Sequence, residues 1–148
     1  MEKNLSAVRL TLWAERVIAA VVVLLLPGLP YLLNWYRTQR PLPEYSYLAI
    51  LIAFYCCAIF VMLALFAMDR LLRNILASQV FVTANTRYIR QIQWYCAIIS
   101  LICLPASFFY APLWFMVLIM AFLSLVICVV ARVMDAAIAI REENDLTI

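Results

Sequence analysis

Hydrophobic residues run in four long, uninterrupted stretches, approximately 17–36, 45–68, 94–110 and 113–131, and the charged residues fall between them. Each stretch is near the ~20 residues with which a helix crosses a hydrocarbon layer ~30 Å thick. The apolar positions are continuous rather than alternating, which predicts helices and not barrel strands. The expected fold is therefore an all-α membrane protein: a four-helix transmembrane bundle forming one domain over residues 1–148. The third stretch is the shortest, and its helical pattern reaches back a turn to Ile89. The first stretch follows Lys3 and Arg9 as a signal peptide would. However, Glu15 and Arg16 interrupt it late, it exceeds the length of a signal core, and no A-x-A cleavage site follows. It is expected to remain as a span.

The polar intervals carry the orientation. Lys3, Arg9, Arg16, Arg70, Arg73, Arg87, Arg90, Arg132 and Arg141 fall on one side, and only Arg37 and Arg40 on the other. Nine basic residues against two place the first side in the cytoplasm, with both termini inside. Aromatic residues border the spans: Trp13 and Trp94 inside, and Trp35, Tyr36, Tyr45, Tyr47, Tyr110 and Trp114 outside. The outer connections are short and contain Pro41, Pro43 and Pro112, the last suited to the first turn of the fourth helix. The inner segment 69–93 is longer. Leu72, Ile75 and Leu76 recur at helical spacing, as do Tyr88, Ile89 and Ile92, and Thr83 or Asn85 can cap the second group. Helices 2, 3 and 4 are thus predicted to extend into the cytoplasm, the inner hairpin turning near 78–82 and the fourth helix running to about Asn144.

Composition narrows the chemistry. The chain is 69% hydrophobic and 13% charged, where a soluble domain has ~25% charged residues. It contains no His, which removes the usual base at neutral pH and the commonest metal ligand. A single glycine, Gly28, excludes glycine-rich phosphate loops and the nucleophile elbow. No carboxylate pair, Ser with a base, or metal set lies in a span, so an enzyme is the least expected class and no cofactor is expected. Cys56, Cys57, Cys96, Cys103 and Cys128 all lie in apolar runs without a C-x-x-C motif and read as packing residues. Cys96 and Cys103, seven apart, share a helix face and are the one weak candidate pair.

Three groups of residues carry candidate function. First, Glu15, Arg16, Asp69, Arg70, Arg132 and Asp135 fall at the cytoplasmic borders of their helices, with Arg90 and Gln93 at the same level. They are read as interfacial ion pairs that set helix neighbours, either as plain anchoring or as a plate for a partner; a proton path is less expected, since no carboxylate lies near mid-membrane. Second, Pro27, Gly28 and Pro30 interrupt the outer half of the first span, and Pro105 the third. Each proline withdraws a backbone hydrogen bond, freeing carbonyls near Val23 and Leu26, and two kinks at one depth suggest an outer pocket. Third, the chain ends Arg141-Glu142-Glu143-Asn144-Asp145-Leu146-Thr147-Ile148. Acidic residues at a helix C-terminus oppose its dipole, which suggests a task beyond helix formation.

That ending, with the segment Val80 to Ile92 containing Phe81, Arg87 and Arg90, resembles a bacterial family of four-span inner-membrane proteins, the domain of unknown function 2975. The family closes on an EENDLTI-like string after a long fourth helix. The resemblance implies a multi-pass protein of the bacterial inner membrane, paired with a small helix-turn-helix DNA-binding regulator. The leading expectation is a non-enzymatic membrane regulator or sensor. It would hold that small cytoplasmic partner through Phe81, Arg87, Arg90, Arg141, Glu142, Glu143, Asn144 and Asp145, without binding nucleic acid itself. A second expectation is a small exporter or immunity-type protein, acting as a homo-oligomer within the lipid bilayer on an apolar ligand. The mid-span polar groups Tyr55, Cys56, Cys57, Ser100, Cys103 and Ser124 are only hydroxyls and thiols, few for that task. A third is a structural accessory subunit.

Overall fold

In a computed structural model, which describes residues 2–39, 43–77 and 83–146, the chain forms four α-helices. They are α1 (Glu2–Gln39), α2 (Glu44–Leu76), α3 (Thr83–Ser107) and α4 (Leu113–Leu146). At ~1.5 Å per residue they are ~57, ~50, ~37 and ~51 Å long. All four are long and apolar enough to cross a membrane.

The ends differ from the sequence reading in two places. Helices α2, α3 and α4 overrun their apolar runs as expected, but α1 does so as well, beginning at Glu2 and not near residue 17. Residues 2–16 contain neither Gly nor Pro, so nothing stops the helix where the apolar run stops. Helix α3 ends at Ser107, three residues before the end of its apolar run at 110. There the Ser107 hydroxyl donates to the Leu104 carbonyl at 2.6 Å, and the N–H groups of Phe109 and Tyr110 both donate to the Ala106 carbonyl at 3.1 Å. These bonds close the last turn and start the tight connection to α4. The turn at 78–82, residues 40–42 and the terminal 147–148 lie outside the described residues.

The helices pack in chain order. Helix α3 has its largest interface with α4, the next with α2, and α1 packs on α2; among the described residues α1 does not contact α3 or α4 as a helix. The four therefore form an open antiparallel row. A contact near the α3–α4 connection reaches α1: the Tyr110 hydroxyl lies 3.4 Å from that of Tyr36.

Small residues make the interfaces. Ala53, Ala58 and Ala67 of α2, Ser100, Cys103, Ala106 and Ser107 of α3, and Ala131 of α4 are buried. Short side chains let helix backbones approach in lipid, where burying apolar surface by itself supplies no drive to associate. The core, Ile99, Cys103 and Val117, is filled out by Cys57, Phe60, Val61 and Met120. The large side chains point outward, including Phe115, Leu118, Phe122, Leu125 and Val129 on α4. In water such a surface would drive aggregation; in a bilayer it is the face turned to solvent.

Candidate functional site

The helix ends that carry most of the arginines come together at one end of the row. Arg90 of α3 reaches Asp135 of α4 at 2.7 Å, a bridge between helices. Asp69 is paired within α2 to Arg73, also at 2.7 Å. The charged layer exists, but its pairs are not the sequence neighbours. Arg70 lies over the ring of Phe66 at 5.1 Å and not on Asp69. Arg132 and Arg16 are exposed, and Asp135 takes Arg90 in place of Arg132. Adjacent residues on a helix diverge by about 100°, which separates Glu15 from Arg16 and Asp69 from Arg70; Arg132 and Asp135 are three apart and could meet, but Arg90 on the facing helix takes Asp135.

Glu15 is the only fully buried side chain described on α1, 5% exposed, and its Oε2 has no hydrogen-bond partner. It sits just before the apolar run that begins at residue 17. Burial pushes its carboxyl above the ordinary carboxylate range, and the neighbouring charge of Asp69 pushes it further; Arg16 and Arg73 oppose the shift without reversing it. Glu15 is thus a buried carboxyl facing Asp69 of α2 and does not form an ion pair with Arg16.

The hairpin of α2 and α3 is joined by polar groups. Asn85, in the first turn of α3, is 0% exposed, and its Oδ1 accepts from Asn74 Nδ2 of α2 at 2.8 Å. Thr86 beside it is buried, with no partner for its hydroxyl. This link was missed by sequence reasoning, which treated Asn85 as a helix cap. Asn74 and Asn85 each sit among apolar residues at helical spacing, which was the available signal.

Two hollows flank the Arg90–Asp135 bridge. A groove of about 540 Å³ is lined by Thr83, Thr86, Arg87, Arg90 and Gln91 of α3 with Asp135. A cavity of about 320 Å³ lies further along the hairpin, between Arg90, Gln93 and Trp94 of α3 and Arg132 and Asp135 of α4. Arg87 and Arg90 thus share the first hollow. Arg141, Glu142, Glu143 and Asn144 are exposed at the end of α4, and Arg141, Glu143 and Asn144 have interactions of their own there. Phe81 and the side chain of Asp145 lie outside the described residues.

The expected outer pocket does not assemble. Pro27 and Pro30 lie within α1, and the Leu26 carbonyl that Pro30 frees accepts the Tyr55 hydroxyl of α2 at 2.8 Å. Gly28 has open space where a Cβ would stand. Pro105 belongs to a separate apolar groove of about 330 Å³ between α2 and α3, with Ile52, Ala53, Ile102 and Phe109. Pro27 and Pro30 stay apart from Pro105 because, among the described helices, α1 packs on α2 alone.

The hydroxyls within the spans join helices. Ser100 donates to the Val117 carbonyl at 3.0 Å and Ser124 to the Gln93 carbonyl at 3.2 Å. Cys103 lies 3.6 Å from Cys57 of α2, so its sulfur neighbour is on another helix and is not Cys96. Among the described residues no group of three or more potential metal ligands occurs.

A family profile described as a protein of unknown function, DUF2975, matches residues 32–148. The chain belongs to this family. Comparison with curated proteins and with solved structures gives no match. The DUF2975 match takes in α2, α3 and α4, hence the Arg90–Asp135 bridge, both hollows beside it and the Asn74–Asn85 link. Glu15 and the Pro27–Pro30 kink precede it. Within the DUF2975 region, polar side chains other than inter-helix hydroxyls concentrate at the arginine-rich end.

Proposed function

We propose that this DUF2975 protein is a non-enzymatic membrane regulator or sensor, oriented with both termini in the cytoplasm of a bacterial cell. It holds a small cytoplasmic protein on the arginine-rich end of α3 and α4. The observation that carries this reading is the groove of about 540 Å³ lined by Arg87, Arg90 and Gln91 of α3 with Asp135 of α4, the helix whose end exposes Glu142 and Glu143. Arginines of α3 and carboxylates of α4 at one end of the row present both signs of charge, a pattern that selects a partner and its register. Arg87, Arg90, Arg141, Glu142, Glu143 and Asp145 are the proposed contacts. A small DNA-binding regulator is the proposed partner, on the strength of the family resemblance. The bilayer-embedded part acts as the anchor and, through the row of helices, as the element that an envelope signal would shift.

The apolar groove near Pro105 favours the second reading, a protein acting on an apolar ligand. The mid-span hydroxyls weigh on the other side, since Tyr55, Ser100 and Ser124 are each engaged with a backbone carbonyl.

The test is recovery of the partner. Full-length chain and a chain ending at Arg141, both tagged at the N-terminus, are purified from the native host in mild detergent and compared by mass spectrometry. A small DNA-binding protein present with the first and lost with the second is the expected result. Equal recovery with both removes the tail from the contact. Recovery of no specific protein with either refutes the regulator reading.

A further inference from the structure

We propose that the cavity between α3 and α4 at the arginine-rich end is the headgroup site for one anionic glycerophospholipid. This is independent of the partner-binding reading, which rests on the neighbouring groove.

The cavity, about 320 Å³, lies within the ~300–1,000 Å³ usual for ligand sites. Two guanidiniums, Arg90 and Arg132, face it with one carboxylate, Asp135. Asp135 is engaged by Arg90 at 2.7 Å, which leaves the cavity with one positive charge in excess on the exposed Arg132. A phosphodiester carries the one negative charge that neutralises it, and its oxygens suit the forked donors of arginine. The Gln93 amide and the Trp94 indole N–H add donors to the same wall.

The surroundings favour a lipid over a free anion. Arg132 stands where the apolar run of α4 ends, at headgroup depth for a helix crossing a bilayer. Trp94, 63% exposed, is the aromatic type enriched at that depth. Leu101 follows Trp94 by seven residues on α3, and Leu125 precedes Arg132 by seven on α4, so each shares a helix face with a cavity residue. Leu101 is 68% exposed and Leu125 67%. Apolar side chains thus lead from the cavity toward the bilayer centre on both helices, as acyl chains require and a free phosphate does not. Basic pockets between transmembrane helices at a membrane border bind anionic headgroups by this combination.

The full chain is reconstituted in bilayers of phosphatidylglycerol and phosphatidylcholine, and retained lipid is counted by native mass spectrometry. One phosphatidylglycerol is expected to stay bound preferentially. Arg132→Gln should cut that preference about fivefold, the usual effect of one basic residue near a membrane surface. Asp135→Asn, by releasing Arg90, should raise it. Arg70→Gln serves as the control, because Arg70 is exposed on α2 and rests on Phe66 outside the cavity. Thermal unfolding in detergent confirms that each variant is folded, and Trp94→Phe, with a weaker loss expected, stands in if Asp135→Asn is not. Equal losses from Arg70→Gln and Arg132→Gln would mean diffuse attraction and overturn the site. Displacement of the lipid by inorganic phosphate at matched ionic strength, with phosphate binding in its absence, would reassign the cavity to a soluble anion.

Discussion

Removing the Tyr55 hydroxyl should weaken the joint between α1 and α2, and by an amount that depends on Pro30. Pro30 has no N–H, so the Leu26 carbonyl four residues earlier loses its intrahelical donor. The Tyr55 hydroxyl supplies the replacement from α2 at 2.8 Å. Water is scarce at this depth, so in Tyr55→Phe the carbonyl is left unmet. An unsatisfied buried acceptor costs ~1–3 kcal/mol, while inter-helix hydrogen bonds in membranes average ~0.6 kcal/mol and reach ~1.7 kcal/mol. The two ranges together give a loss of about 1–1.5 kcal/mol for Tyr55→Phe in the native background. In a Pro30→Ala background residue 30 donates to Leu26 again, and the loss should shrink to about 0.5 kcal/mol or less. The coupling of about 1 kcal/mol is read from a double-mutant cycle, using reversible unfolding in mixed detergent micelles followed by circular dichroism. The cycle cancels whatever Pro30→Ala does by straightening α1. If Tyr55→Phe costs the same in both backgrounds, the hydroxyl is not serving the carbonyl that Pro30 frees, and the argument fails.

Glu15 gives a pH prediction. Its carboxyl is raised in the folded chain, so the stability tied to its bound proton is fully present below the ordinary carboxylate range and is lost as pH rises through the raised value. Stability relative to Glu15→Gln, measured by the same unfolding assay across that interval, should therefore fall with rising pH; a difference that stays flat would mean the carboxyl is not held as argued. Gly28 gives a stability prediction: it lies inside α1 with open space at its Cβ position, so Gly28→Ala should stabilise by ~0.5–1 kcal/mol. A destabilised variant in thermal unfolding would show that the Pro27–Pro30 kink needs glycine itself.

The spans were legible because lipid imposes a length and a composition that show in the apolar runs themselves. The limits of α1 were not, because the same residues that end hydrophobicity at 16 continue a helix without difficulty. Neighbour order was also hidden. Helices that are apolar all round have no single face to mark the packed side, and the marks that exist here are small residues such as Ala53, Ala58, Ala67 and Ala131. Of the candidate site, the charged layer could be located from sequence but its pairs could not. Arg90 and Asp135 are 45 residues apart, and only the hairpin of α3 on α4 brings them into contact. The freed Leu26 carbonyl was foreseeable from Pro30; its donor, 29 residues away on α2, was not.

The same division bears on function. The hydroxyls of Tyr55, Ser100 and Ser124 meet backbone carbonyls of neighbouring helices, so they specify how the row assembles and offer little to a passing substrate. At the arginine-rich end the allocation is different. Arg90 and Asp135 form a bridge bordered by hollows on both sides, Arg87 and Arg132 are exposed beside it, and Thr86 and Glu15 hold buried oxygens without partners. Polar groups not needed for assembly are costly to hold in a chain that is 69% hydrophobic, and here they gather at one end. The two proposals, a protein partner on the groove and a lipid headgroup in the cavity, accordingly both rest on that end of the row.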